Sequence, residues 1–224
     1  MNQLTQHQTG IRGWVIVHDQ VRAVLAAMPT HVRALRADDP VGASTLVTWW
    51  RSFSRSFVRH MRTEDDRVWP VIAEADPATA EDLGRLTAEH HEIERQLARV
   101  DSELAALPEL LGSQWLESTK RELLRRLDVL QCLVDHHLAG EERIAFDHPG
   151  LSPERWSRIE RDLMKGLGLR EVSLLLPRLL EQADPVGRAL MLRRMPASVR
   201  MLDARVFEPR YRRMQRRLPG AASR

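Results

Sequence analysis

Four stretches of this chain repeat one pattern: apolar residues return at alternating steps of three and four, and in each stretch a single histidine takes an apolar position. That spacing lines one buried seam of an α-helix, so the chain is constrained to long helices facing a shared core. The first seam is Ile11, Trp14, His18, Val21, Leu25 and Met28. The second runs Leu46, Trp50, Phe53, Phe57, His60, Glu64, Val68 and Val71, and the third Leu83, Leu86, His90, Ile93, Leu97, Val100 and Leu104. The fourth is Leu123, Leu127, Leu130, Val134, His137, Glu141 and Ile144. Breaker-rich segments, "RADDPVGAS", "EADPATAED" and "ALPELLGS", separate the four blocks. With one tyrosine and few alternating β-branched residues, strands have little support. The expectation is an all-α chain whose residues 10–149 form an up-down-up-down four-helix bundle.

Facing decides between adjacent histidines. In "DHHLAGEE", His137 shares a helix face with Leu130, Val134 and Ile144, whereas His136 falls with Gly140 and Arg143. His90 lies on the leucine seam of its block, and His91 follows Gly84 and Thr87 outward. Height is a separate test, because two residues of an antiparallel pair lie level when the turn falls midway between them. The midpoints of 18 and 60, 60 and 90, and 90 and 137 are 39, 75 and 113.5, each inside one of the three breaker segments. All four seam histidines therefore converge on one layer.

A lone seam histidine is ordinarily a satisfied core residue. Four at one level, with two glutamates, would be costly to desolvate without compensation, and bound cations supply it. His60 with Glu64, and His137 with Glu141, are four apart, so each imidazole and carboxylate project from one face a turn apart. Two glutamate bridges and two histidines per metal describe a dinuclear centre with room for a solvent-derived bridge or an exogenous ligand. Nitrogen and oxygen donors without thiolate suit iron, manganese or zinc, and iron is favoured for chemistry with dioxygen, peroxide or nitric oxide. A polar layer filled by water without metal is the bland alternative.

The segments "VHDQVR", "HMRTEDDRVWP", "LTAEHHEIERQL" and "DHHLAGEERIAF" resemble the four helices of the hemerythrin-like (HHE cation-binding) domain. The resemblance implies that His18, His60, Glu64, His90, His137 and Glu141 ligate two non-haem iron ions. Oxygen-carrying hemerythrins add a fifth histidine where this chain has Glu94, and an aspartate where it has Glu142, with Glu141 the better-facing acid. The set is more similar to the bacterial branch linked to nitric oxide and iron-sulfur repair, peroxide handling, or iron and oxygen sensing. It implies a small diatomic or peroxide ligand, bound with turnover or, alternatively, sensed without it. Glu94 reads as a helix-surface acid, with an added ligand or proton relay as the sharper option; Asp65 and Glu142 read as partners of arginines or of ligand imidazoles. Tyr211 is a further candidate at the metals. No flavin or nicotinamide loop is present, so an electron donor would be a separate molecule.

The 34 basic and 31 acidic residues leave a net charge of only +3, a weak argument for nucleic acid or an anionic membrane. A single cysteine, Cys132, lies off the seam and allows no internal disulfide. The N-terminal residues lack a signal core and no stretch approaches the ~20 apolar residues of a membrane helix, so a soluble cytoplasmic protein is expected. Residues 150–224 are expected to form a basic helical extension packed on the bundle. "LSPERW" opens a helix near residue 153, and Pro177, Pro185 and Pro196 interrupt three further helical stretches. From residue 186 on, eleven arginines face only Asp203 and Glu208. His7, His31, His91, His136 and His148 are expected at the surface.

Overall fold

The computed structural model describes residues 3–147 and 169–221, with side chains in 13–144 and most of 169–221. Long helices α1 (Gln3–Ala34) and α2 (Pro40–Thr63) are followed by a short α3 (Trp69–Ala75), then α4 (Ala80–Leu110) and α5 (Leu116–Asp147). The breaker segments act through identifiable caps. Asp39 accepts a hydrogen bond from the backbone N–H of Gly42 at 2.8 Å, with Pro40 in the first turn of α2. Gly112 leaves α4 at φ 74°, a left-handed conformation that favours glycine. In the resulting ring, α1 packs on α2 and α5, and α4 packs on the same two helices. Among the described residues every element is helical and none is long and apolar enough to cross a membrane.

The expected seams are buried with one shift. Between α2 and α3 the chain makes a π-turn, Glu64–Val68, in which the N–H of Trp69 bonds the carbonyl of Glu64 five residues back. The extra residue advances later positions by one. Trp69 and Ile72 are buried, and Val71, expected on the seam, is only half-buried. Spacing arguments assume an unbroken 3.6-residue helix, and a π-turn violates that assumption.

Two apolar clusters fill the bundle interior, and a third, around Leu176, Leu180 and Phe207, lies in the segment beyond it. The larger contains Val21, Leu25, Phe53, Phe57, Ile93, Leu97, Leu130 and Val134, with Phe53 between Trp50 (ring centroids 5.1 Å apart) and Phe57 (5.8 Å). The smaller closes the other end with Trp14, Val68, Trp69, Ile72, Leu83, Leu86 and Ile144. On every bundle helix the seam histidine lies between residues of the two clusters, which sets the polar layer between two dry caps.

Beyond residue 168, α6 (Leu169–Gln182) packs on α1 and α2, and α7 (Pro185–Arg194) on α1. They are followed by α8 (Ala197–Leu202), a second π-turn (Asp203–Phe207) and α9 (Glu208–Gln215). Pro185 and Pro196 stand at helix starts, but Pro177 lies inside α6 and does not break it. Burial of Leu174, Leu176, Leu179 and Leu180 on both sides holds the helix across the missing N–H. Leu218 joins the larger cluster. His31, expected at the surface, is half-buried and donates Nδ1–H to the Pro219 carbonyl at 2.8 Å, tying this segment to the end of α1. The helix expected near residue 153, His148, and the side chains of His7 and Ile11 lie outside the described residues.

Arg178 of α6 is 2% exposed; its guanidinium lies 5.4 Å from the Trp49 ring centre and Nη2 donates to the Trp49 carbonyl at 3.4 Å. Its Nε is buried without a hydrogen-bond partner, and burial lowers its pKa even though Tyr211 and Glu181 oppose the shift. The cost of desolvating this cation is set against a cation–π contact, a long hydrogen bond and the nearby Tyr211 and Glu181, and an apolar side chain of similar length would avoid that cost. Arg178→Met is accordingly expected to match or exceed the wild-type melting temperature; a fall of several degrees would show that the guanidinium is a net stabiliser.

Candidate metal centre

Each bundle helix brings one histidine to the polar layer, and a glutamate follows one turn further along in two cases, Glu64 at the start of the π-turn after α2 and Glu141 in α5. None of His18, His60, Glu64, His90, His137 and Glu141 is more than 5% exposed. Their donor atoms form two groups close enough to hold cations, one from His18, His60, Glu64 and Glu141, the other from His90, His137 and Glu141. The carboxylates are split between them. Glu64 turns Oε1 toward His60 Nε2 (3.1 Å) and His18 Nε2 (3.9 Å), and Oε2 toward His90 Nε2 (3.8 Å). Glu141 turns Oε2 toward His18 Nε2 (3.3 Å), and Oε1 toward His137 Nε2 (2.9 Å) and His90 Nε2 (3.1 Å). Glu141 thus offers one oxygen to each histidine pair, while Glu64 gives one oxygen to the His18–His60 pair and turns the other toward His90 alone.

The inward atoms are close without being satisfied. His18 Nε2, His60 Nε2, His137 Nε2, Glu64 Oε2 and Glu141 Oε2 are all buried and lack a hydrogen-bond partner. Buried polar atoms are seldom left so, and five converging on one layer fit a metal site better than a packed polar core.

Outward nitrogens are held by carboxylates. His18 Nδ1–H donates to Glu142 at 2.9 Å, and Glu142 accepts from Arg22 at 2.7 Å. His90 Nδ1–H donates to Asp65 at 3.0 Å, and Asp65 accepts from the Thr87 hydroxyl at 2.7 Å. His137 Nδ1–H donates to Glu89 at 2.9 Å, and Glu89 accepts from Arg85 at 2.8 Å. A proton fixed on Nδ1 leaves the Nε2 lone pair directed inward, the tautomer a metal ligand requires. Trp14 completes the shell: its indole N–H donates to Glu64 Oε1 at 2.6 Å and its ring lies 4.0 Å from that of His18.

Electrostatics follow the same geometry. Burial alone would lower the pKa of His18, but Glu142, Glu64 and Glu141 outweigh it and raise it to about 9. His90 is likewise raised to about 9, its burial overcome chiefly by Glu141 and Glu64. His60 moves down because burial dominates. Burial would raise Glu141, yet His137, His90 and His18 hold it below the usual carboxylate range, and His18 and Arg22 bring Glu142 to about 2 against the same burial effect. The stability contribution of His18 and His90 in chelator-treated protein is therefore full below their ordinary pKa of 6.5 and fades as pH rises toward about 9. That of Glu141 and Glu142 is full above 4.5 and fades as pH falls. Thermal melts of chelated protein should thus peak between those limits and decline toward alkaline pH. Metal-loaded protein, whose imidazoles must be neutral to ligate, should not share the alkaline decline. Parallel alkaline curves for the two forms would show that metal and protons do not compete there.

All six residues singled out from the sequence meet in this layer, and Asp65 and Glu142 stand directly behind two of the imidazoles. Glu94 does not enter: it pairs with Arg62 on the surface at 3.1 and 3.2 Å. Tyr211 is also elsewhere, donating to Glu181 at 2.9 Å on the segment that packs near Trp49, eleven residues and roughly 16 Å along α2 from His60. Spacing along the seams placed Trp14 as a core residue without its bond to Glu64, and passed over Glu89. The height test contained both, since 14 with 64 has the midpoint 39 and 89 with 137 the midpoint 113.

Residues 9–148 match the family model described as the hemerythrin HHE cation binding domain. No curated protein and no solved structure matches the chain.

Proposed function

Because the chain belongs to the hemerythrin HHE cation-binding domain family, we propose that its polar layer holds two non-haem iron ions and that the protein binds or turns over dioxygen, peroxide or nitric oxide in oxidative or nitrosative stress. The observation that carries this reading is the division of both carboxylates between two histidine pairs. His18 and His60 would serve one ion, His90 and His137 the other, with Glu64 and Glu141 as bridges. Two such ions would supply Lewis acidity and reversible redox change toward a small ligand.

The chain's own residues supply placement and exclusion. Glu142, Asp65 and Glu89 keep the proton of three imidazoles on Nδ1 and fix their ring orientation. Trp14 fixes Glu64. The two apolar clusters keep bulk water from the layer, which strengthens the charge interactions inside it. Protein reconstituted with Fe(II) without oxygen should hold about two ions per chain and develop a ligand-to-metal absorption band on oxidation. The double variant His60→Ala with His137→Ala removes one imidazole from each pair and should lose both signals; full retention of metal would end the assignment.

A second reading is favoured by the seat of α7. Gly187 packs so closely on Ile16 that a Cβ there would lie 2.7 Å from Ile16 Cδ1, two residues from His18. A displacement of His18 would thus reach the C-terminal segment through one contact, as a sensor without turnover requires. Repeated decomposition of peroxide or nitric oxide by the iron form favours the enzyme. A stoichiometric spectral change with altered protease cleavage between residues 186 and 217 favours the sensor.

A further inference from the structure

The two histidine pairs are not equivalent in what stands behind them. Both members of the His90–His137 pair have a carboxylate on the outer nitrogen, Asp65 at 3.0 Å and Glu89 at 2.9 Å. In the other pair only His18 does, through Glu142. Among the described contacts His60 has none; its ring lies instead near Phe57, centroids 6.3 Å apart, and it is the most exposed of the four at 5%. A carboxylate on the outer nitrogen makes an imidazole a stronger donor and fixes its orientation, an effect worth about 10–100-fold in metal affinity per partner.

The shared carboxylates add to the imbalance. The oxygen that Glu64 turns toward His18 and His60 is the one already engaged by Trp14, at 2.6 Å, whereas its other oxygen, on the His90 side, is buried and free. A hydrogen bond to a carboxylate oxygen draws off the electron density that the same oxygen would donate to a cation. Glu141 leans the same way, with Oε1 within 2.9 and 3.1 Å of His137 and His90 and Oε2 no nearer than 3.3 Å to His18.

We propose that the two metal positions are unequal by construction: the His90–His137 position fills first and holds its ion more firmly, and the His18–His60 position fills second and exchanges first, with Trp14 a positioning residue that sets the difference through Glu64. This rests on the dinuclear reading above and adds an order to it. Each position has its own reporter. The Trp14 ring is 4.0 Å from His18, while the Trp69 ring stacks on His90 at 6.4 Å and 18°.

The test is titration of chelator-treated full-length protein with Fe(II) under anaerobic conditions, following bound metal by equilibrium dialysis and tryptophan fluorescence in the wild type, with Trp69→Phe and Trp14→Phe used only to assign each quenching step to the ring whose loss removes it. The expected result is two steps of affinity about tenfold or more apart, with the Trp69 signal quenched in the first and the Trp14 signal in the second. His60→Ala should keep the tight ion and lose the weak one, and His137→Ala should lose the tight one. Trp14→Phe should narrow the gap by strengthening the second step, an effect that mere loosening of the core would not give. Glu89→Ala should weaken the first step and Glu89→Gln, which still accepts from Nδ1–H, should restore part of it, with circular dichroism confirming the fold of each. Two ions entering in one indistinguishable step, or the first ion quenching Trp14, would overturn the proposed order while leaving the dinuclear reading intact. Binding of fewer than two ions by the wild type would overturn both.

Discussion

On the dinuclear iron reading proposed above, Glu141→Gln is expected to empty both metal positions at once. Glu141 is the one carboxylate that appears in both donor groups, with Oε2 toward His18 and Oε1 toward His90 and His137. The amide is nearly isosteric, so the bundle should still close. It carries no charge, however, and must turn its nitrogen, a donor with no lone pair for a cation, toward one of the two positions. Iron content should fall from about two per chain to near none, since a lost ligand costs more than the 10–100-fold of a lost outer partner. The consequence for stability is large. An ion present at a thousand times its dissociation constant stabilises the folded state by about 4 kcal/mol per site. For a chain of this size each kcal/mol moves the melting temperature by about 2–4 °C. The metal-dependent rise in melting temperature, roughly 8–16 °C per site by that arithmetic, should vanish in Glu141→Gln. Glu142→Gln, which meets the layer only at the outer nitrogen of His18 and otherwise holds Arg22, should retain most of it. A Glu141→Gln variant that still bound two ions would refute the bridging role, and one that kept a single ion would assign Glu141 to one position alone.

The chemistry of this layer was legible because helical facing and bundle height are both simple functions of residue number. His18, His60, His90 and His137 satisfy the two conditions together, and Glu64 and Glu141 follow at one-turn spacing, so the six could be read without coordinates. Two kinds of information were not available that way. The π-turn at Glu64–Val68 depends on whether a helix locally takes in an extra residue, which the side-chain pattern around it does not declare; the unbroken pattern puts Val71 on the seam, and Ile72 occupies that place. The partners behind the imidazoles depend on the reach of long side chains between helices. Asp65 and Glu142 read from the sequence as partners of arginines or of ligand imidazoles without a choice between the two, and Glu89 lies off the seam, where an acid is usually solvated like Glu94, which pairs with Arg62; only its height sets it level with His137. Pro177 shows the limit of local rules: its intrinsic tendency to end a helix is overridden by burial of the leucines around it.

Phe53→Ala is expected to separate the stability of the core from the chemistry of the layer. Phe53 is fully buried between the Trp50 and Phe57 rings. Removing a buried phenyl ring typically costs about 3–5 kcal/mol, the lost transfer free energy plus the cavity left behind. At about 2–4 °C per kcal/mol the melting temperature of the chelated protein should drop by roughly 6–20 °C. Phe53 is seven residues from His60, roughly 10 Å along α2, with Phe57 intervening. At that separation effects on stability usually add to within about 0.5 kcal/mol. The folded variant should therefore still bind about two ions, and combining Phe53→Ala with Glu141→Gln should give the sum of the two single losses. The pair of variants gives opposite profiles: one folds nearly as well without metal yet cannot load it, the other loads metal fully yet melts early. Loss of metal from folded Phe53→Ala protein would mean instead that the aromatic stack on α2 sets the level of His60, and that the larger apolar cluster and the metal layer act as one cooperative unit.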